Sequence, residues 1–219
     1  MRDKNNLIDE YLLQLHGPLE APWKKVEEAL INDDLLGINI GVTEGLILSF
    51  LVKALNVKSV LEIGTQYGYS TLWFLKNLPV DGQLISIEKN EIHYQKATEH
   101  IQDHRCTLLK GDAQTLLQTE LKEHSFDLIF IDANKKAYPQ YLKYAKEHVV
   151  EGGLIVGDNT FLMNTVFQSS DPRGVDPKLI DAMREFNRDL FSDRRFVSCI
   201  FPTSEGMSIG FKLKLGQSR

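Results

Sequence analysis

Acidic side chains recur where apolar runs of the chain end: Glu62 inside SVLEI, Glu88 after LISI, Asp112 after CTLLKG, Asp132 after FDLIFI, and Asp158-Asn159 after LIVG. Such runs read as strands of a buried sheet, and the residues after them emerge along one edge. Asp132, Asp158 and Asn159 are oxygen donors, the ligand type that a hard cation such as Mg²⁺ or Ca²⁺ requires. The same residues also serve as ordinary loop caps. Glu88 can accept hydrogen bonds from the vicinal hydroxyls of a ribose, or stand as a solvated strand end. Gly64 and Gly68 bracket a turn between a strand and the helical segment that starts at Tyr69. Glycine lets that turn bend sharply and lets a ligand reach the main chain, while the free N–H groups of a helix start offer donors. A tight turn with no ligand has the same spacing. Gly111-Asp112-Ala113 could line an adenine edge or form a helix N-cap.

The elements that must position these residues follow from periodicity. Leu7, Tyr11, Leu12 and Leu15 recur at helical spacing until Gly17-Pro18, a second helix runs from Trp23 to Leu36, and a third lies within Gly41–Leu55 with Thr43 as its N-cap. Strands are predicted at Ser59–Ile63, Gln83–Ile87, Cys106–Leu109, Phe126–Ile131 and Leu154–Gly157, each followed by a charged, helix-compatible stretch. That alternation predicts an α/β fold with a doubly wound parallel sheet. After the loop Ser169–Pro177 come a helix at Lys178–Phe191 and a hairpin of Phe196–Phe201 with Met207–Leu213. No repeat or linker interrupts the chain. One domain over residues 1–219 is expected, with N-terminal helices at 1–56 and the sheet core at 57–219.

Composition narrows the partners. A net charge of −5 gives no global attraction to phosphate backbones, which favours a small-molecule substrate over nucleic acid. Cys106 and Cys199 lie far apart in apolar runs and are expected as buried, reduced thiols. No stretch approaches the roughly 20 apolar residues of a membrane span, and MRDKNNLIDEY lacks a signal-peptide core, so a cytoplasmic protein is expected.

Taken in order, VLEIGTQYGYST, ISIEKN, GDA, FIDANKKAY and VGDN resemble the cation-dependent class I O-methyltransferases, the family of catechol and caffeoyl-coenzyme A O-methyltransferases and their bacterial relatives. The resemblance runs from about Ile40 to the last strand. It implies the Rossmann-like methyltransferase fold, a seven-stranded, mostly parallel sheet whose C-terminal hairpin inserts an antiparallel strand. It implies S-adenosylmethionine as cofactor and not NAD, whose G-x-G-x-x-G fingerprint is absent. By the same resemblance Glu62, Gly64, Thr65 and Ser70 hold the methionine part of the cofactor, Glu88 its ribose and Ala113 its adenine, while Ile40 gives a main-chain contact and Asp132 also borders the cofactor. Asp132, Asp158 and Asn159 match the ligands of a divalent cation, Mg²⁺ first and Ca²⁺ or Mn²⁺ as alternatives. Lys135 matches the general base. Asn134 stands where the plant enzymes carry an acid. Relatives are commonly homodimers, with the N-terminal helices as the natural surface.

The implied chemistry needs these residue types. Methyl transfer from a sulfonium is an in-line displacement, so the accepting hydroxyl must lose its proton and be held opposite the leaving sulfur. A divalent cation that binds two neighbouring substrate oxygens serves both ends, and a lysine can take the proton. The expected substrate is a catechol-like or caffeoyl-like hydroxyl. The alternative is 5-hydroxyuridine at the wobble position of tRNA, with Arg173 and the Arg194-Arg195 pair as candidate phosphate contacts. A noncatalytic nucleotide-binding module is a third reading, disfavoured by the intact set of Asp132, Lys135, Asp158 and Asn159. Phe161, Met163 and Phe167 in the loop Phe161–Pro177 are candidates to cover an aromatic ring.

Overall fold

The structure, a computed structural model, describes residues 7–168 and 174–217. Its seven strands are β1 (Ser59–Ile63), β2 (Gln83–Glu88), β3 (Cys106–Lys110), β4 (Phe126–Ile131), β5 (Val149–Gly157), β6 (Phe196–Phe201) and β7 (Met207–Lys212), in the sheet order β3-β2-β1-β4-β5-β7-β6. The helices are α1 (Leu7–His16), α2 (Ala21–Asn32), α3 (Val42–Ala54), α4 (Tyr69–Asn77), α5 (Glu91–His100), α6 (Ala113–Gln118), α7 (Tyr138–His148) and α8 (Pro177–Ser192). This is the Rossmann-like methyltransferase architecture: β1 to β5 alternate with helices, and β7 enters antiparallel to β5 and β6. By internal packing the chain divides into two compact units, residues 1–58 with 64–111 and residues 59–63 with 112–219.

In the first unit, β2 and β3 pair in parallel, with Glu88 opposite Lys110. α3 and α4 pack tightly, and Trp23 of α2 lies against Trp73 of α4 with ring centroids 5.1 Å apart. α1 buries none of its residues. It is tied to the rest by Asp9, whose Oδ1 accepts the backbone N–H of Thr43 at 2.9 Å and its hydroxyl at 2.5 Å. Thr43 is therefore not the N-cap of α3, as its residue type predicts. Gly41 is the cap, its N–H bound by Glu44 Oε2 at 2.9 Å, and an acid from another helix covers the next donor. α2 stops at Asn32, short of the predicted Leu36, because the chain turns left-handed at Asp34.

The second unit is built on β1, β4 and β5, which run parallel and buried side by side; Ile63 lies opposite Ile131, and Ile131 opposite Gly157. β5 starts at Val149, earlier than predicted, through the glycine pair Gly152-Gly153 and a register irregularity against β4. α8 buries Ile180, Met183, Phe186 and Leu190 at helical spacing. Neither cysteine is in a disulfide, and contrary to expectation neither is buried: Cys106 is half-buried and Cys199 exposed. They lie on the two outermost strands, β3 and β6, whose residues are mostly half-buried or exposed. Among the described residues no helix is long and apolar enough to cross a membrane.

Candidate active site

In the first unit the polar residues gather on the glycine turn. Gly64 (φ 104°), Gln66 (φ 52°) and Gly68 (φ 91°) all adopt left-handed backbone, and Gly68 is the N-cap of α4. A Cβ on Gly68 would come within 2.9 Å of the Ile101 side chain, so both conformation and space demand glycine there. The Gly64 N–H donates to the Ile87 carbonyl at 3.0 Å, which hangs the turn from the end of β2. Glu88, the last residue of β2, accepts the Gln66 N–H on Oε2 and the Asn90 N–H on Oε1, each at 2.7 Å. Each carboxylate oxygen keeps a second lone pair that can take a ligand hydroxyl. Thr65 is buried, its hydroxyl 2.5 Å from that of Ser86, and Ser70 is buried in the first turn of α4. From the other side the turn is clamped by α2. Tyr67 donates to Asp33 at 2.6 Å and Tyr69 to Glu27 at 3.0 Å; burial, then Asp33, pushes the Tyr67 phenol up to about 12. Ile40 is buried in the link before α3.

In the second unit the candidate residues follow β4 and β5. The Asp132 N–H donates to the Ile63 carbonyl at 2.9 Å and the Asp158 N–H to the Ile131 carbonyl at 3.0 Å, so parallel register brings the two acids out of adjacent strands. Asp158 is fully buried. Lys135 Nζ donates to Asp132 Oδ1 at 2.9 Å, to the Tyr138 hydroxyl at 2.6 Å and to the Asp158 carbonyl at 3.4 Å. Tyr138 is itself buried, its hydroxyl 2.8 Å from the Asp158 carbonyl and 3.0 Å from that of Ile131. Burial, reinforced by the Asp132 and Asp158 carboxylates, holds that phenol well above its ordinary pKa and keeps it protonated. One phenolic proton therefore ties the two strand ends together while the oxygen receives the lysine.

Asn159 adopts left-handed backbone (φ 57°), as do Leu162, Met163 and Asn164 just beyond it. This segment is stitched to the β6–β7 turn: the Thr160 N–H donates to the Gly206 carbonyl at 2.9 Å and the Phe161 N–H to the Glu205 carbonyl at 2.8 Å. Gly206 (φ 74°) leaves room for the Phe161 ring, which a Cβ would meet at 2.5 Å. Phe161 and Phe167 meet edge to face at 5.4 Å, and Phe167 is 63% exposed.

Of the remaining predicted residues, Glu62 is buried in β1 opposite Phe130, and Ala113 is the buried first residue of α6. Asp112 is the N-cap of α6, accepting the Gln114 N–H at 3.0 Å. Lys136 pairs with Asp176 outside the cluster, which separates it from Lys135. Arg195 is committed to Asp193 and Glu147; Arg173 lies outside the described residues. Among the described residues no group of three or more His, Cys, Asp or Glu side chains is arranged to hold a metal. Asp132, Asp158 and Asn159 contribute two carboxylates and one amide, a smaller set whose all-oxygen chemistry suits a hard cation. Sequence reasoning missed Tyr138 and Gln66. The spacing of three from Lys135 to Tyr138 at a helix start was the available signal for the first, since it places both on one face.

The sequence profile of the O-methyltransferase family matches residues 20–213. The chain belongs to the O-methyltransferase family. It is an enzyme of the S-adenosylmethionine-dependent O-methyltransferase class, as the order of its motifs implied. Caffeoyl-CoA O-methyltransferase of Medicago sativa is 32% identical over 181 residues, 78% of this chain and 73% of that protein. Catechol O-methyltransferase of Niastella koreensis is 30% identical over 189 residues, 84% of each chain. Among solved structures, the O-methyltransferase TomG of Streptomyces achromogenes, in complex with S-adenosylmethionine, superposes with a TM-score of 0.85 at 26% identity, covering 98% of this chain and 100% of that one.

Proposed function

We propose that this O-methyltransferase methylates one hydroxyl of a small aromatic vicinal diol, catechol-like or caffeoyl-like, with residues 1–219 acting as one domain. The observation that carries the reading is Lys135 Nζ, held between Asp132 Oδ1 at 2.9 Å and the hydroxyl of buried Tyr138 at 2.6 Å. S-adenosylmethionine supplies an electrophilic methyl group, and a divalent cation, Mg²⁺ first, would acidify the substrate hydroxyl and fix two adjacent oxygens. Asp132, Asp158 and Asn159 are assigned to the cation. Glu62, Gly64, Thr65 and Ser70 are assigned to the methionine part of the cofactor, Glu88 to the ribose, Ala113 to the adenine, with Ile40 and Asp132 at its border.

Lys135 is the proton acceptor in this reading. Its three N–H bonds point to Asp132, Tyr138 and the Asp158 carbonyl, and the last, at 3.4 Å, is the longest. With Nζ as the neutral amine, giving up that contact leaves its lone pair for the substrate proton while the other two bonds hold the side chain in place. The Phe161–Phe167 pair offers apolar edges suited to an aromatic ring. An aromatic substrate is favoured over tRNA because Arg195 is already neutralised by two acids. We also infer a homodimer formed through the N-terminal helices, since Leu7, Ile8, Tyr11 and Leu15 of α1 and Phe50 of α3 are exposed. Cys106 and Cys199, neither of them in a disulfide, fit a reducing cytoplasm.

The test is transfer of labelled methyl from S-adenosylmethionine to a panel of catechols and to unmodified tRNA, each with Mg²⁺ and with chelator. Metal-dependent label in a catechol is the expected result; label in tRNA alone replaces the substrate assignment, and label that survives chelation removes the cation. Asp158→Ala should lower turnover about 100-fold or more while S-adenosylmethionine binds as before. Equal loss of both would count against the cation assignment.

A further inference from the structure

Gln66 combines two unfavourable features in one residue. It holds left-handed backbone (φ 52°), which a side chain with a Cβ rarely adopts, and its Nε2 is buried with no hydrogen-bond partner. Strain and an unmet buried donor on the same residue mark a place shaped for something other than stability. Its backbone gives the location: the Gln66 N–H donates to Glu88 Oε2 at 2.7 Å, so the residue is fastened to the carboxylate assigned above to the ribose.

We infer that the side-chain amide of Gln66 is a ribose-binding group, hydrogen-bonded to one of the two cofactor hydroxyls that Glu88 receives. This rests on the proposed cofactor reading and adds to it a residue that neither the glycine spacing nor the acidic strand end indicates. The chemistry is complementary. A ribose hydroxyl that gives its proton to a Glu88 oxygen keeps lone pairs on its own oxygen, and an amide N–H is the group that uses them. Rotating the amide by 180° would present its oxygen instead, and a hydroxyl can donate to that as well, so either orientation is satisfied. The left-handed backbone then belongs to the residue whose N–H Glu88 already holds and whose side-chain amide is left with a donor to give.

The experiment is calorimetric titration of S-adenosylhomocysteine, and of its 2′-deoxy and 3′-deoxy analogues, into the wild-type protein, Gln66→Leu and Gln66→Gly. Gln66→Leu removes the amide and keeps the bulk; Gln66→Gly relieves the backbone and guards against a fold defect in the first. Both variants should bind S-adenosylhomocysteine about tenfold more weakly than wild type. Against the one analogue that lacks the partner hydroxyl, the difference between wild type and variants should vanish. Wild-type affinity in both variants overturns the inference and leaves the proposed function standing. A tenfold loss that persists against both analogues overturns the ribose assignment. A wild-type protein that does not bind S-adenosylhomocysteine at all overturns the cofactor reading and this inference together.

Discussion

The glycine turn of the first unit and the strand ends of the second are both built from acids after apolar strands, yet they hold those acids in opposite ways. At the turn, Glu88 is gripped by backbone N–H groups and the chain around it is bent, with Gly64, Gln66 and Gly68 all left-handed. At the strand ends, Asp132 and Asp158 follow parallel strands that pair in register from Leu128 to Ile131, and their neighbours are a lysine and a buried phenol. Main-chain donors recognise a ligand by shape and cannot exchange protons at neutral pH. A lysine amine beside a carboxylate and a phenol can take up a proton and pass it on. The first arrangement therefore suits binding and the second suits reaction.

That contrast is sharpest in rate. Lys135→Met should reduce turnover by about 10² to 10⁴ while S-adenosylhomocysteine affinity stays at the wild-type value. Steady-state kinetics beside calorimetry check this, and a matching loss of affinity would erase the division between the two regions. Glu88→Gln is the mirror experiment: one main-chain N–H then faces an amide NH₂, and affinity should fall about 10-fold to 100-fold with turnover at saturating cofactor largely kept.

Polar ties elsewhere in the first unit are weaker and read out in stability. Arg105 donates to the carbonyls of Leu75, Leu78 and Pro79 at the end of α4, and Asp103 fixes the guanidinium at 2.6 Å. That hydrogen bond, opposed by partial burial, lowers the Asp103 carboxyl from 3.8 to about 2. A carboxyl lowered on folding adds stability above its unfolded value, and that stability is lost as pH falls through the folded one. Asp103→Asn should therefore be less stable than wild type by about 1 kcal/mol at pH 6, with the gap closing between about pH 4 and pH 2. Chemical denaturation across that range decides it; a gap independent of pH would mean that the carboxylate charge is irrelevant. The smallest effect belongs to Asp9→Ala, which removes the acceptor for Thr43 and should cost about 1 kcal/mol or less with no change in kcat, seen as a lower Tm.

Much of both regions was legible from sequence, because each depends on a local rule. Apolar runs placed β1 and β4 at their observed boundaries, and Asp132 and Asp158, the residues after β4 and β5, came out adjacent because Ile131 lies opposite Gly157 in parallel register. The glycine pair was legible because few residues tolerate positive φ. What escaped depends on partners far along the chain. Thr43 looked like a cap by residue type, but Gly41 is the cap, and the Thr43 N–H is taken by Asp9, 34 positions earlier. Cys106 and Cys199 looked buried from their apolar neighbours, while their exposure is set by lying on the outermost strands of the sheet. Gln66 carries a positive φ that Gln gives no reason to expect, and Tyr138 reads as an ordinary helix-start aromatic until its hydroxyl is seen between two carbonyls.

The place of β7 has a consequence for synthesis. Although it follows β6 in the chain, it lies between β5 and β6, antiparallel to both. Until Met207–Lys212 leaves the ribosome, β5 has an open edge along Leu154–Gly157, ahead of Asp158, and β6 has no neighbour to dock on. An open apolar edge is a template for pairing with the wrong chain. The interval between translation of β5 and of β7 is therefore one in which a nascent chain is open to mispairing along β5, and it ends when β7 fills the gap.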